Sequence, residues 1–124
     1  MELSDLEKEL LAYCCEDDMG IWVIIHSVFG DGYPNLPKLP EWVQEKTLQT
    51  ITSLLFKELV IIGHFVEKEN AIIFVPFDGI VTEIVEKIKC EWNELDRNPS
   101  LGDICWFRAS EKGIRLAKIL GLET

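Results

Sequence analysis

Few residues in this chain have the type and spacing that catalysis or metal binding requires. The two histidines, His26 and His64, lie in apolar segments and belong to no metal-ligand or nucleophile motif. The sequence also has no phosphate-binding loop, no nucleophile elbow and no dinucleotide-binding glycine pattern. We therefore expect a protein that is not an enzyme and needs no cofactor, with His26 packed in the core rather than acting as a ligand or base.

The cysteines do not indicate a metal site either. Cys14 and Cys15 are adjacent, which is not a metal-ligand spacing, and no C-x-x-C or paired-histidine motif accompanies them. Cys14 continues the apolar stripe of a predicted helix and Cys105 lies in an apolar run, so we expect buried, reduced thiols. Asp17 and Asp18 have the charge to bind a divalent cation, but their place before a predicted helix favours a capping role.

Acidity is the strongest signal in the composition. The 124 residues carry 22 Asp and Glu against 12 Lys and Arg, a formal net charge of −10. Residues 1–20 hold seven acids and one Lys, and residues 78–96 hold six acids and two Lys. Such a surface repels a polyanion unless the cations are concentrated, and only a mild group stands near the end: Arg108, Lys112, Arg115 and Lys118. The acids either keep the protein hydrated or steer a basic partner.

Length and composition indicate one domain, residues 1–124, with 48% hydrophobic and 27% charged residues. No apolar run approaches the roughly 18 residues of a membrane span. The acidic first residues resemble neither a signal peptide nor a transit peptide. We therefore expect a cytoplasmic protein with no membrane partner.

The apolar pattern predicts three helices in the first half of the chain. Ser4 and Glu7 form a capping-box pattern before a helix that runs to about residue 15. Residues 19–29 are predicted as a second helix, capped by Asp17 or Asp18 and ended by Gly30, although their β-branched composition also fits a buried strand. Residues 31–40 form a loop, and residues 41–59 a third helix. The predicted inner face of this third helix consists of Leu48, Ile51, Leu55 and Leu59.

The second half predicts a hairpin, a helix, a strand and a helix. Residues 60–66 and 71–76 are strand-like and are joined by a polar turn at residues 67–70. A fourth helix covers residues 79–95, with Glu83 and Lys87 paired on its outside. Its predicted inner positions are Ile80, Val81, Ile84, Val85, Ile88 and Trp92. A short strand at residues 104–108 precedes a last helix at residues 111–120, which Ser110 caps and Gly121 ends.

Helix, helix, helix and hairpin is the element order of a winged helix, and two segments strengthen the resemblance. Residues 53–63, SLLFKELVIIG, resemble the LL-x-x-GLV-x-x-G passage in which a winged-helix third helix enters its wing. Residues 106–117, WFRASEKGIRLA, resemble the WF-x-LT-x-KG-x-x-LA ending of small bacterial winged-helix proteins, where a glycine permits close packing. The expected fold is therefore α+β: a mainly helical winged-helix-like domain with a β-hairpin and a short additional strand.

The residues argue against the DNA binding that a winged helix would suggest. A DNA reader of this kind needs cations on its third helix and wing, because phosphate neutralisation supplies most of the affinity. Residues 41–59 carry two Lys against three Glu, residues 67–70 carry one Lys between two Glu, and the first Arg in the chain is Arg97. We expect no nucleic-acid partner.

A short acidic domain without a catalytic motif is most simply a binding protein. The chain resembles the immunity proteins of contact-dependent growth inhibition and related polymorphic-toxin systems of bacteria. This resemblance implies direct contact with a cognate toxin domain, expected to be basic because opposite charge accelerates association. The predicted contact residues are Glu16, Asp17, Asp18, Asp31, Tyr33, Glu83, Glu86, Glu91 and Glu94. A winged-helix transcription regulator is the alternative, followed by an adaptor or a homo-oligomeric protein; the oligomeric state stays open.

Overall fold

The computed structural model describes residues 2–30, 33, 36–100 and 102–122, which form five helices and a four-stranded antiparallel sheet. The helices are α1 (Asp5–Glu16), α2 (Ile21–Phe29), α3 (Glu41–Phe56), α4 (Val81–Glu94) and α5 (Glu111–Leu120). The strands are β1 (Met19–Gly20), β2 (Val60–Lys68), β3 (Ala71–Pro76) and β4 (Trp106–Ala109). The predicted α+β class is confirmed. In the described part of the chain, no helix is both long enough and apolar enough to cross a bilayer.

The sheet has the strand order β1–β4–β2–β3, so the last strand in sequence lies in its interior and β3 lies at an open edge. Trp106 pairs with Gly20 on one side and with Gly63 on the other. One face of the sheet packs onto the helices, and its side chains Ile62 and Phe107 are buried. Helix α1 lies against α5 and β4, while α2 and α4 both lie against α3.

The close approach predicted for the glycine of the last helix is confirmed. A Cβ atom at Gly113 would lie only 2.2 Å from the carbonyl oxygen of Leu59. The same Cβ would lie 3.1 Å from a methyl group of Leu11. Only a residue without a side chain therefore allows α5 to pack this tightly against the residues that lead into β2.

The predicted caps at Ser4 and Ser110 and the predicted helix ends at Gly30 and Gly121 are confirmed. The Ser4 hydroxyl accepts the Glu7 N–H at 3.1 Å, and the Glu7 carboxylate accepts the Ser4 N–H at 3.0 Å. Ser110 caps α5 by accepting the Gly113 N–H at 2.9 Å, and Gly121 ends that helix in the left-handed conformation. Gly30, with a φ of 114°, ends α2.

The predicted start of the second helix is wrong. Met19 and Gly20 form a two-residue strand, and Gly20, not Asp17 or Asp18, occupies the N-cap position of α2. The strand pairing with β4 takes these residues out of the helix. Gly20 suits this junction because a Cβ there would lie 2.5 Å from the indole nitrogen of Trp22.

The third helix differs from its prediction in length and in the face that it buries. It ends at Phe56, and Glu58 follows with a φ of 60°. Its buried residues are Val43, Thr47, Thr50, Ile51 and Leu54. Leu48 and Leu55 are only half-buried, while Leu59 is buried beyond the helix. Thr50 tolerates burial because its hydroxyl donates to the Lys46 carbonyl at 2.8 Å.

The hairpin is confirmed, but its turn has two residues instead of four. Glu69 and Asn70 have φ values of 51° and 67°, as the tight turn between twisted strands requires. The ladder therefore extends to the pair of Lys68 with Ala71.

The elements after the hairpin also begin later than predicted. Helix α4 starts after Ile80, which is exposed at the N-cap rather than facing inward. Glu83 accepts the Ile80 N–H at 3.1 Å, and Lys87 lies over the Phe77 ring at 4.4 Å, so each side chain of the predicted Glu83–Lys87 pair has another contact. Strand β4 starts at Trp106 because Ile104, with a φ of 66°, breaks the extended backbone.

A carboxylate near the start of α1 joins that helix to the end of α3. Glu7 accepts hydrogen bonds from the Lys57 ammonium at 2.9 Å and from the Ser53 hydroxyl at 2.8 Å. Glu7 as a whole is 7% exposed to solvent. Burial alone would raise the pKa of Glu7, but the donors from Ser4, Lys57 and Ser53 lower it below its usual value.

We predict that Glu7→Gln lowers the free energy of unfolding by about 1–3 kcal/mol at pH 7, because hydrogen bonds to a charged group are lost. A lowered folded-state pKa gives stability that is present above the unfolded-state pKa and disappears as the pH falls through the folded-state value. The difference between the wild type and Glu7→Gln should therefore shrink below about pH 4. Urea titrations at several pH values measure it.

Glu9→Gln is the matched control for this prediction, because Glu9 is an exposed acid on the same helix. A Glu7→Gln protein as stable as Glu9→Gln across the pH range would contradict the assigned role of Glu7.

Candidate protein-interaction surfaces

Helix α4 separates apolar and acidic side chains onto opposite sides. Ile84, Ile88 and Trp92 are buried against the rest of the fold. The opposite side carries three exposed carboxylates, which we call the acidic face: Glu83, Glu86 and Glu94. This amphipathic pattern places the negative charge of the helix in solvent, where it acts over the Debye length of roughly 8–10 Å.

Glu91, predicted to belong to the same surface, turns inward. The residue is half-buried, and its Oε2 atom is buried and meets no hydrogen-bond donor among the described residues. Its charge adds to the desolvation that raises the pKa of the buried Cys105 thiol. Glu91 is thus only partly available to a partner.

The predicted acidic cluster at the end of α1 is split by an ion pair. Glu16 and Asp17 are exposed. Asp18 instead accepts two hydrogen bonds from Arg108 on β4, from Nε at 2.9 Å and from Nη2 at 3.1 Å. The same guanidinium lies over the Phe74 ring at 4.2 Å. The charge of Asp18 is therefore already compensated within the molecule.

The prediction that Tyr33 is an exposed contact residue is wrong. Its side chain is fully buried, and its hydroxyl donates to the Pro99 carbonyl at 2.7 Å. Desolvation, followed by the charge of Asp103, raises the pKa of Tyr33 to about 12. An aromatic residue in a loop rich in glycine and proline fits a contact residue on sequence alone, but here it fills the core. Asp31 lies outside the described residues.

Asn98 attaches the loop around Tyr33 to the turn after α4. Its amide nitrogen donates to the carbonyls of Tyr33 at 3.3 Å and Leu36 at 3.0 Å, and its amide oxygen accepts the Leu39 N–H at 3.1 Å. The predicted contact loop is therefore tied down at several of its described residues. One amide side chain satisfies three backbone groups that the loop could not pair by itself.

The turn that presents Asn98 is held by an ion pair. Arg97 donates to both carboxylate oxygens of Asp103, and the Ser100 N–H donates to Asp103 at 2.6 Å. The Arg97 guanidinium outweighs the desolvation of Asp103 and, with the Ser100 donors, lowers the pKa of that carboxyl to about 2.

A shallow groove of about 610 Å³ lies between the loop and the end of α4. Charged side chains of both signs line it, among them Lys89, Glu45 and Asp96. Gln44 donates to the Asn93 side chain across this groove at 2.9 Å. Its mixed lining shows no preference for one class of ligand.

The hairpin presents an apolar surface that sequence reasoning missed. All six residues of β3 are apolar and five of them are exposed, with Ile72 exposed to 74%. On the outer face of the sheet, Phe65 contacts Phe74 and Trp106 with ring centroids 5.6 and 5.4 Å apart. An unbroken apolar run is typical of a buried strand. The sequence signal was therefore present, but it favours the opposite location.

The residues with potential for chemistry are dispersed. His26 is half-buried, with its ring edge-on to Tyr33 at 4.8 Å, in agreement with the predicted packing role. His64 packs against Phe77 at 4.5 Å. None of the four cysteines is in a disulfide; Cys14 and Cys105 are buried as expected, whereas Cys15 is half-buried and Cys90 is exposed. Among the described residues, no group of three or more His, Cys, Asp or Glu is placed to hold a metal ion.

Comparisons with protein-family models, with curated proteins and with solved structures gave no match.

The acidic face should slow the chemistry of the exposed thiol on α4. Partial desolvation and the carboxylates of Glu86 and Glu94 raise the pKa of Cys90, so less thiolate is present near pH 8. We predict that Glu86→Gln increases the rate at which Cys90 reacts with a chromogenic disulfide reagent, by roughly two- to fivefold. Glu67→Gln, on the hairpin, serves as the control. Equal rates in the two variants would show that Glu86 does not act on the thiol.

The loop attachment predicts a stability loss from one side chain. Asn98→Ala should lower the free energy of unfolding by about 1–3 kcal/mol, because backbone groups near Tyr33 and Leu39 lose their partner. It should also speed hydrogen exchange of the Leu39 amide. Asn93→Ala removes an exposed amide that accepts a hydrogen bond from Gln44, and should change both quantities little. A loss of similar size in the two variants would contradict the role assigned to Asn98.

Proposed function

We propose that this protein acts by binding another protein, and that it is an immunity protein that neutralises a basic toxin domain through its acidic surface. The observation that carries the proposal is the acidic face of α4, whose three carboxylates are exposed on a helix anchored by the buried apolar residues Ile84, Ile88 and Trp92. Complementary charge at such a face accelerates encounter with a cationic partner and discriminates against others.

The distribution of cations supports a protein partner over DNA. Each of the three arginines lies in an ion pair with a carboxylate: Arg97 with Asp103, Arg108 with Asp18 and Arg115 with Glu111. Lys57, one of the two lysines of the predicted third helix, is paired with Glu7. Few cations are left to neutralise phosphates where a winged helix would meet them, and phosphate neutralisation is the main source of DNA affinity.

The winged-helix relationship is part of this proposal. The order α1, β1, α2, α3, β2 and β3 supports it, with the hairpin as the wing. The insertion of β4 between β1 and β2 is an addition to that plan. Within the proposal the chain works in the cytoplasm, where an incoming toxin would act, and it needs neither metal nor cofactor.

The first experiment identifies the partner and tests neutralisation together. The tagged full-length chain is used to capture proteins from nuclease-treated lysate of the source cells. The captured protein is then expressed alone and together with this chain in a growth assay. Recovery of one basic protein whose toxicity the chain abolishes supports the proposal. Retention of duplex DNA, with an affinity that falls steeply as salt rises, would instead favour a transcription regulator.

A charge reversal on the acidic face tests where the toxin binds. Glu86→Lys with Glu94→Lys should slow association with the captured toxin roughly tenfold or more, with the largest effect at low salt. The control is Glu9→Lys with Glu111→Lys, which makes the same change in net charge at exposed positions of α1 and α5. Surface plasmon resonance measures both rates. If the two double variants behave alike, net charge steers the partner and the acidic face is not the contact.

A further inference from the structure

The open edge of β3 offers an outward N–H group at only two residues. In the hairpin, the Phe77 N–H donates to the Ile62 carbonyl at 2.9 Å, which makes this a hydrogen-bonded pair. Because such pairs alternate in an antiparallel ladder, Ile73 and Val75 also bond inward to β2. Ile72 and Phe74 therefore direct their N–H and C=O groups outward, and Pro76, the next outward residue, has no N–H to offer.

Apart from Pro76 at its end, this edge has none of the usual protections against pairing with another strand. Natural edge strands carry charges, bulges or very short lengths that prevent such pairing. Strand β3 is six residues long, has no charged residue and is paired along its whole length with β2. The outer face beside it presents Phe65 and Trp106.

We propose that β3 pairs with β3 of a second copy of this chain, antiparallel and with the two-fold axis at Ile73. In this register Ile72 lies opposite Phe74 of the other copy, and the two outward residues of each strand exchange their N–H and C=O groups. Four hydrogen bonds form, and Ile72 and Phe74 make cross-strand apolar contacts on the outer face. The two sheets become one sheet of eight strands, since each copy contributes four.

One pair of charges near the ends of β3 is complementary in this arrangement. The turn of one hairpin, with the exposed Glu69, comes alongside the residues that follow β3 in the other copy. There Lys87 sits over the Phe77 ring, next to the exposed Asp78. Glu69 of each copy thus lies near Lys87 of the other. The net charge of −10 on each chain opposes association over longer range, so salt should strengthen the dimer by screening it.

A disulfide test reads the register directly. Across the two-fold axis, the two Ile73 residues form a non-hydrogen-bonded pair with Cα atoms about 4.5 Å apart, within the range of a disulfide. In a Cys90→Ser background, which removes the exposed native thiol, Ile73→Cys should form a disulfide-linked dimer under mild oxidation. Val75→Cys is the matched control, because both positions share a face and are 41% exposed, yet Val75 would face Ala71 of the other copy.

A mass measurement tests the edge without cysteine chemistry. The wild-type chain should show twice its mass of 14.2 kDa by light scattering as its concentration rises. Ile72→Lys should weaken this dimer roughly tenfold or more, because a lysine is placed in the shared strand pair. Ile119→Lys changes a comparably exposed isoleucine, 79% against 74%, on α5 and should leave the dimer unchanged.

Three outcomes would overturn the proposal. One is a monomer at every concentration and salt level, which would leave the edge to a strand of a different protein. Another is a dimer that Ile72→Lys leaves intact, which would place the contact elsewhere. The last is equal crosslinking of Ile73→Cys and Val75→Cys, which would exclude the register. None of these results bears on toxin binding by the acidic face, so the two proposals fail separately.

Discussion

The pairing of β4 with both β1 and β2 holds the two halves of this molecule together. The strand comes after α1 to α4 in the chain, yet it lies inside the sheet between a strand from the N-terminal helices and the hairpin. Its inward residue Phe107 is fully buried. Its outward residue Arg108 reaches Asp18, 90 positions earlier, and covers Phe74. The ends of α1 and of the hairpin therefore depend on one short strand.

The same packing holds several basic side chains in ion pairs and leaves most carboxylates of α4 exposed. Lys57 and Arg108 are held in ion pairs that join distant segments, while Arg97 and Arg115 pair with carboxylates a few positions away. The carboxylates of α4 remain in solvent, apart from Glu91, whose buried oxygen lies under the helix. Because the chain has more acids than bases, the carboxylates that remain without a basic partner form an exposed negative surface. The edge strand β3 is uncharged, so the two surfaces suit partners of different chemistry. The acidic face attracts a partner over a distance, whereas β3 needs direct contact.

Signals that depend on a few neighbouring residues were predicted well. The capping box of α1, the Ser110 cap, the helix ends at Gly30 and Gly121 and the hairpin turn all act within a few positions, so the sequence contains both partners. Predictions that needed a distant partner were less accurate. The predicted inner face of α3 included Leu48 and Leu55 beside Ile51, whereas the helix buries Thr47 and Thr50 together with Ile51. Tyr33 was expected in solvent because its acceptor at Pro99 is 66 residues away.

The sequence by itself determined the α+β class, the order of the elements other than β1, several of their boundaries and the excess of acid on α4. These follow from hydrophobic period, caps and composition, which are local properties. Tertiary structure alone decided which acids remain free, since Asp18 and Glu91 are engaged or covered by residues far along the chain. It also decided that the most apolar strand lies at an open edge. The physical reason is that the burial of a strand depends on its neighbours in the sheet. Strand β4 occupies the interior position between β1 and β2, and β3 is left at the edge.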